Sequence, residues 1–254
     1  MSVAVGLRDR LRRYYTTYYR DVLGIPDWPT LVDLREAEER QERERFARLG
    51  RVLGGGLRGR LLNVGCGTGG FNVVAAEAGV RPVGVDADAE AIGICAMKRG
   101  GAFVRAVAER LPFPDGRFDV VYCFSAIEHV ESVERTVAEM VRVTRPGGLV
   151  YVHTPNAWSW YEGHYKLLWV PFLPRPLGRL YLRMRGRPSA YLGTLRRLTP
   201  TALRRAFARV GVRDLRFHDD APPRESRGPL RAPIGLYYRL SGVSPFIELV
   251  ARKP

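Results

Sequence analysis

The sequence predicts an α/β protein built on a parallel sheet, and two observations carry that reading. From Arg60 onward, short apolar runs alternate with helical stretches, the pattern of strands joined by crossover helices. The first of those runs ends in LLNVGCGTGG (residues 61–70), where Gly65, Gly67 and Gly70 give a G-x-G-x-x-G spacing. Such a turn lets backbone approach a nucleotide closely. At 254 residues the chain can hold one large domain of this kind, or a domain with a lid.

The elements follow in order. Residues 7–20, LRDRLRRYYTTYYR, read as a short basic helix, with some of its four tyrosines packed on the main domain. Residues 31–53 read as one long helix ended by Gly54, Gly55 and Gly56, its Glu/Arg neighbours at i,i+3 and i,i+4 forming a solvated face. RLLNVG is the first buried strand and FNVVAAEAG its helix; VRPVGVD is the second strand and DAEAIGICAMKRG its helix. AFVRAV, FDVVYCFS and GLVYVHT are the third, fourth and fifth strands. The helix SVERTVAEMVRVT precedes the fifth, and the turn Arg145-Pro146-Gly147-Gly148 separates the two. After Thr154 the alternation breaks down into a segment rich in Pro, aromatics and Arg. Helix resumes at LTPTALRRAFARVG, with Thr199 as N-cap and Pro200 at the first helical position. VRDLRFH is a sixth strand and PFIELVARKP a last one; no internal repeat is visible.

Composition narrows the function classes. With 46% hydrophobic and 26% charged residues the chain is globular rather than disordered. Cys66, Cys95 and Cys123 are widely spaced and form neither a C-x-x-C pair nor a Cys/His cluster, against both a disulfide framework and a structural zinc site. The start, MSVAVGLRDRLRR, reaches charge too early for a signal-peptide core, and no apolar run approaches the roughly 18 residues of a spanning helix. The expectation is a reduced, cytoplasmic protein. The net charge of +15 is concentrated in residues 151–254, which hold 19 basic and 6 acidic groups, almost all of the cations being arginine. That excess reads either as codon bias and solubility or as a surface for phosphate, nucleic acid or acidic lipid.

Four motifs give the nucleotide turn its context. NVGCGTG is followed by VGVDAD, then by AERLPFPDGRFDVVYCFSAIEHV, then by RPGGLVYVHTPN. Taken together they resemble the class I S-adenosylmethionine-dependent methyltransferases, of the small-molecule type related to quinone-biosynthesis enzymes. The resemblance covers residues 58–154 well and the piece from Thr199 to the last strand more loosely. It implies a Rossmann-like, doubly wound sheet of about seven strands with a terminal antiparallel strand. Residues 1–57 would be a helical extension, 58–154 the cofactor-binding core, 155–198 a lid or acceptor-binding insertion, and 199–254 the helix and strands completing the core.

The implied cofactor is S-adenosylmethionine rather than NAD. A sulfonium with a carboxylate tail needs close backbone approach, an acid for the ribose and a slot for adenine. It needs no second mononucleotide-binding half, and none follows the third strand. By resemblance, Asn63, Gly65, Cys66 and Gly67 wrap the methionine part and Asp86 takes the ribose hydroxyls, with Ala108, Glu109 and Phe124 completing the site. Two departures matter. Asn63 stands where many relatives have Asp, and Val107 stands where many have the Asp that takes the adenine amino group; that contact then falls to Glu109, to the Ala108 backbone or to water. Glu128 and His129 match a pair that, in some quinone-pathway enzymes, binds a divalent metal with a Glu three residues earlier. Ser125 occupies that position here, so no metal is expected.

His129 and His164 are the candidate bases for an acceptor hydroxyl, an imidazole being suited to proton transfer near neutrality. The alternatives are that Glu128 and His129 cap and pack the next helix, and that His164 is exposed in the lid. The acceptor is expected to be a small molecule, phosphorylated or lipid-linked. YKLLWVPFLPRPLGRLYLRMRGR also suits peripheral contact with an anionic membrane at its inner face, against the alternative of a lid packed on the core or on a second subunit. Neither an Asp/Asn-Pro-Pro-aromatic nor a Pro-Cys motif is present, which disfavours nucleic acid. An RNA methyltransferase and a non-catalytic binding protein on the same fold remain the alternatives, and the sequence leaves the oligomeric state open.

Overall fold

The computed structural model describes residues 2–37, 39–55, 57–218 and 231–254. Glu38 and Gly56, placed by the sequence reading within and after the helix over 31–53, lie outside the described residues, as does 219–230 of the C-terminal piece.

The chain opens with α1 (Ser2–Thr16), a π-helical turn (Thr17–Val22), α2 (Trp28–Glu36) and α3 (Glu39–Val52). The alternating core follows: β1 (Arg60–Val64), α4 (Gly70–Glu77), β2 (Arg81–Asp86), α5 (Ala89–Cys95), β3 (Ala102–Arg105), β4 (Phe118–Phe124), α6 (Val133–Val143) and β5 (Thr144–Pro155). A lid carries the two-residue strands β6 (Tyr161–Glu162) and β7 (Leu167–Leu168) and α7 (Arg175–Met184). Then come α8 (Pro200–Arg209), β8 (Asp214–His218), α9 (Arg231–Ser241) and β9 (Phe246–Arg252).

Among the described residues seven strands form one sheet in the order β3-β2-β1-β4-β5-β9-β8. Pairing is parallel through β5, while β9 runs antiparallel to both of its neighbours. This is the expected doubly wound sheet with an inverted terminal strand. The order reverses direction between β1 and β4, and in such sheets the crevice at that switch, beyond the carboxyl ends of the strands, is where ligands bind. The central strands are continuous apolar runs because helices cover both faces. Leu62, Val121, Cys123 and Val150 face α6 and α8, whose Met140 and Phe207 they meet; Leu61, Tyr122 and Tyr151 face α3 and α4, meeting Leu49 and Phe71. Each such large apolar side chain contributes about 1.5–3 kcal/mol on burial.

Local capping explains the boundaries. Thr199 accepts from Ala202 N–H and Ser132 from Arg135 N–H, opening α8 and α6, while Asp88 accepts from Glu90 and Ala91 N–H to open α5. The helix read over 31–53 is in fact two. α2 packs on α1 through the buried Val32, whereas α3 packs on α4 through Leu49, so one straight rod cannot serve both partners. The expectation of a merely solvated charge run on this stretch is also corrected. Glu42 is buried, and Arg48 reaches inward to donate from Nε and Nη2 to the buried Glu248 of β9 at 2.8 and 2.6 Å. The helix after β2 is shorter than its apolar pattern suggested, ending at Cys95.

The lid does not lie on the sheet. Tyr165, Leu167, Trp169, Leu182, Leu192 and Leu195 share one apolar cluster with Leu11, Tyr15, Tyr19, Leu23 and Val32 of the N-terminal helices. The tyrosines of α1 therefore do pack inward, and they do so between core and lid. No helix among the described residues is long and apolar enough to cross a membrane.

Candidate active site

A cavity of about 880 Å3 opens beyond the carboxyl ends of β1, β2 and β4. Gly65, Gly67, Asp86, Ala108 and Glu109 line it, as do His129 and Ser132. The glycine turn is shaped for a ligand to press against it. Gly65 has φ +74, and a Cβ there would stand 2.2 Å from the Ala126 methyl. Gly67 has φ +52, and a Cβ there would meet nothing within 4 Å, so open space lies directly above its backbone. Asp86, at the end of β2, holds the turn in place: one carboxylate oxygen accepts Gly67 N–H at 2.8 Å and the other Asp88 N–H at 2.9 Å. A carboxylate offers about four acceptor positions; the Ala87 N–H also bonds to this one, which leaves capacity for a ribose hydroxyl. Burial raises the Asp86 pKa, although the backbone N–H groups of Asp88 and Gly67 oppose it.

This geometry fits S-adenosylmethionine: a Cβ-free cradle for the methionine end, and beside it the half-buried Asp86 carboxylate with acceptor capacity left for a ribose hydroxyl. The remaining sequence candidates are distributed differently. Asn63, Cys66 and Phe124 line a smaller space of about 210 Å3 behind the glycine turn, which Gly65 and Gly67 border from the other side. Asn63 donates from Nδ2 to Asn72 Oδ1 at 2.7 Å, pinning β1 to α4. Glu109 uses one oxygen, Oε1, to accept Glu131 and Ser132 N–H at 2.6 and 3.2 Å, anchoring the loop across the cavity mouth. Val107 is half exposed on that rim.

The N-terminal helix, invisible as a site element in the sequence, roofs the cavity. Tyr14 donates to Asp88 Oδ2 at 2.9 Å, Tyr15 and Thr68 share a 2.9 Å hydrogen bond, and Arg10 makes two bonds to Glu90. Burial and the neighbouring Asp88 push the Tyr14 phenol up. Four tyrosines on one short helix were the signal for contact; which of them reach the cofactor cavity depends on tertiary placement.

The two candidate bases come together. His129 and His164 meet edge to face with ring centroids 5.1 Å apart, one from the turn after β4 and one from the lid. His164 is buried rather than exposed, with 11% of its side chain accessible, and its Nδ1 lies 2.8 Å from Glu162 Oε1. Glu162 raises the His164 pKa against the effect of burial, which lowers it. His129 is neutral: burial and then His164 push it down to about 4. Glu128 is buried between them. Its Oε2 accepts the Thr154 hydroxyl at 3.0 Å, while Oε1 has no hydrogen-bond donor and stands 3.7 Å from His164 Nε2 and 4.0 Å from His129 Nε2. Burial raises Glu128 to about 7. These three are the described residues whose donor atoms lie close enough together to hold a metal ion; the lid supplies the third group, in a place that loop spacing could not reveal.

A second cavity of about 440 Å3 adjoins the first, and Ser125 and His129 line both. Ser125 takes φ +49, a strained backbone for a non-glycine residue, and its N–H donates to His153 O at 2.8 Å. The strained residue thus sits where the two cavities meet.

Comparison with known proteins agrees with this site. A family described as "Methyltransferase domain" matches residues 62–152. An uncharacterized methyltransferase of Mycobacterium leprae is 44% identical over 93 residues, which is 35% of this chain and 35% of that protein. One from Mycobacterium tuberculosis is 42% identical over 93 residues, covering 35% of this chain and 37% of its own. The chain thus matches about a third of the length of these curated relatives. Among solved structures, an S-adenosylmethionine-dependent methyltransferase from Archaeoglobus fulgidus superposes with a TM-score of 0.60 at 17% identity, covering 85% of this chain and 94% of its own. A possible histamine N-methyltransferase from Thermotoga maritima gives 0.57 at 22%, covering 87% and 96%. At those identities the structures share the fold. Residues 62–152 thus match a methyltransferase-domain family, and the sheet around them shares the fold of solved S-adenosylmethionine-dependent methyltransferases.

Proposed function

We propose that the whole chain is an S-adenosylmethionine-dependent methyltransferase acting on an oxygen of a small-molecule or lipid- or glycan-linked acceptor. The observation that carries this is the shared wall: Ser125 and His129 border both the cofactor cavity and its neighbour. A donor in the first and an acceptor in the second would meet there. Bound S-adenosylmethionine supplies an electrophilic methyl group for in-line displacement. The protein's part is to align the two ligands and take one proton. Asp86 and the glycine turn hold the donor. His129, neutral at pH 7, is placed to accept the acceptor's hydroxyl proton, with Glu128 Oε1 4.0 Å from its Nε2. The Glu162 carboxylate, 2.8 Å from His164 Nδ1, favours the tautomer with the proton on Nδ1, leaving Nε2 3.7 Å from Glu128 Oε1.

A peripheral contact between the lid and an anionic bilayer belongs to the same reading. Leu177, Leu180 and Met184 lie exposed on one face of α7, with Arg179 and Arg183 beside them. Such a surface suits delivery of a lipid-linked acceptor. The experiment for the reading is label transfer from methyl-labelled S-adenosylmethionine to extract of a deletion strain. His129→Asn is expected to lower kcat by about 100-fold or more with cofactor affinity unchanged. Absence of both cofactor binding and transfer would overturn it.

A further inference from the structure

We propose that the second cavity is an anion-recognising acceptor subsite: it takes a flat, ring-bearing acceptor through a carboxylate or phosphate group held by Arg35. This rests on the methyltransferase reading, and three observations carry it.

The first is charge. Among the described residues the charged side chains lining the 440 Å3 cavity are Arg35, Arg45 and Lys166, joined by three histidines; neither aspartate nor glutamate lines it. The arginines of this region differ in what neutralises them. Arg48 is paired with Glu248, and Arg45 Nη1 donates to Glu42 at 2.5 Å. Arg35 has phenols instead: its Nε donates to Tyr19 OH at 2.9 Å and its guanidinium lies 5.5 Å from the Tyr15 ring. At longer range Arg35 also feels the Glu42 carboxylate, which Arg45 already binds; its hydrogen-bond partner is a neutral phenol, and an incoming anion offsets part of the cost of burying the guanidinium. Its planar fork matches a carboxylate or phosphate in two parallel hydrogen bonds.

The second is shape. The Phe124 and His153 rings are parallel within 3° at 4.1 Å, and Phe246 continues the stack 5.0 Å beyond His153. Neighbouring strands set this wall, since Phe124 pairs with His153 across β4 and β5. Arg45 caps Phe124 from 4.4 Å. A flat aromatic body fits such a surface better than a branched aliphatic one.

The third is placement. Lys166 adopts φ +56, a left-handed backbone that is strained for a lysine, at the cavity edge. The cavity's other boundary is the Ser125–His129 wall against the donor. An acceptor anchored by its anion at Arg35 therefore has its far end available to the methyl group.

The test is calorimetric titration of the full chain, saturated with S-adenosylhomocysteine, with benzoate and with benzamide, which share a shape and differ in charge. Benzoate is expected to bind at least tenfold more tightly. Arg35→Gln should bring the ratio within about twofold (roughly 0.4 kcal/mol), and Arg35→Lys should keep part of the preference. Lys166→Gln, at an exposed side chain, should reduce the ratio without touching the fold. Phenyl phosphate in a parallel titration separates the phosphate form of the anion from the carboxylate form. Equal binding of benzoate and benzamide by the wild type overturns the proposal, as does a preference that survives both Arg35→Gln and Lys166→Gln. Failure of S-adenosylhomocysteine itself to bind would instead overturn the methyltransferase reading.

Discussion

The proposed donor half and the proposed acceptor half of this site are built in opposite ways. The donor cavity takes its floor from successive strand ends and the loops that follow them, each a few residues long and placed by the sheet. The acceptor cavity draws Tyr19 from the turn after α1, Arg35 from α2, Arg45 from α3, Phe124 from β4, Lys166 from the lid and Phe246 from β9. One half is specified by local backbone geometry; the other exists only once remote pieces have docked. Damage to the docking should therefore cost the acceptor half first, and damage to a strand end should cost the donor half alone.

The largest expected effect lies in the docking. Arg48→Met strands Glu248, buried between β5 and β8 where Tyr151 OH donates to it at 2.7 Å and His153 faces it across β5, and should cost about 3–5 kcal/mol of stability. Arg48 and Tyr151 hold the Glu248 carboxyl below its ordinary value despite burial. The stability this pair adds is thus present above the unfolded value of about 4.3 and is lost as pH falls through the lower folded value. Melting curves of wild type and variant should separate at pH 7 and converge in acid; a constant gap would mean that the loss is one of packing rather than charge.

A smaller effect tests the other half. Asp86→Ala should weaken S-adenosylmethionine binding at least tenfold, roughly 1.4 kcal/mol, while the benzoate-to-benzamide ratio stays as in wild type. Unchanged donor affinity would place the ribose elsewhere; a collapsed ratio would mean that the two halves are less separable than their construction suggests. The smallest effect concerns the lid surface. Wild-type protein should float with anionic phosphatidylglycerol vesicles, and Leu180→Glu with Met184→Glu should abolish this without altering the melting temperature. No flotation of wild type at physiological salt removes the membrane contact.

The same contrast explains what the sequence revealed. The strands of the sheet were legible because buried parallel strands are continuous apolar runs, and the donor loop because its glycines and Asp86 lie about 20 residues apart in one β-α-β unit. The split between α2 and α3 was not legible, since a run of Glu and Arg satisfies helical spacing whichever neighbours it meets. His164 looked like a lid residue open to water; its burial against Glu128 and Glu162 follows from where the lid docks. Arg35 and Arg45 looked like surface charge for the same reason. Arg48 and Glu248 stand 200 positions apart, and a pair so distant leaves no spacing to read.

The apolar cluster joining the lid to the N-terminal helices has one more consequence. Tyr14 roofs the donor while its neighbours Tyr15 and Tyr19 sit in the cluster that holds Tyr165 and Leu167 of the lid. Lifting the roof exposes the same oily surface as loosening the lid, so neither door opens cheaply by itself. Opening of the donor cavity and loosening of the segment after β5 are thereby coupled through one apolar cluster.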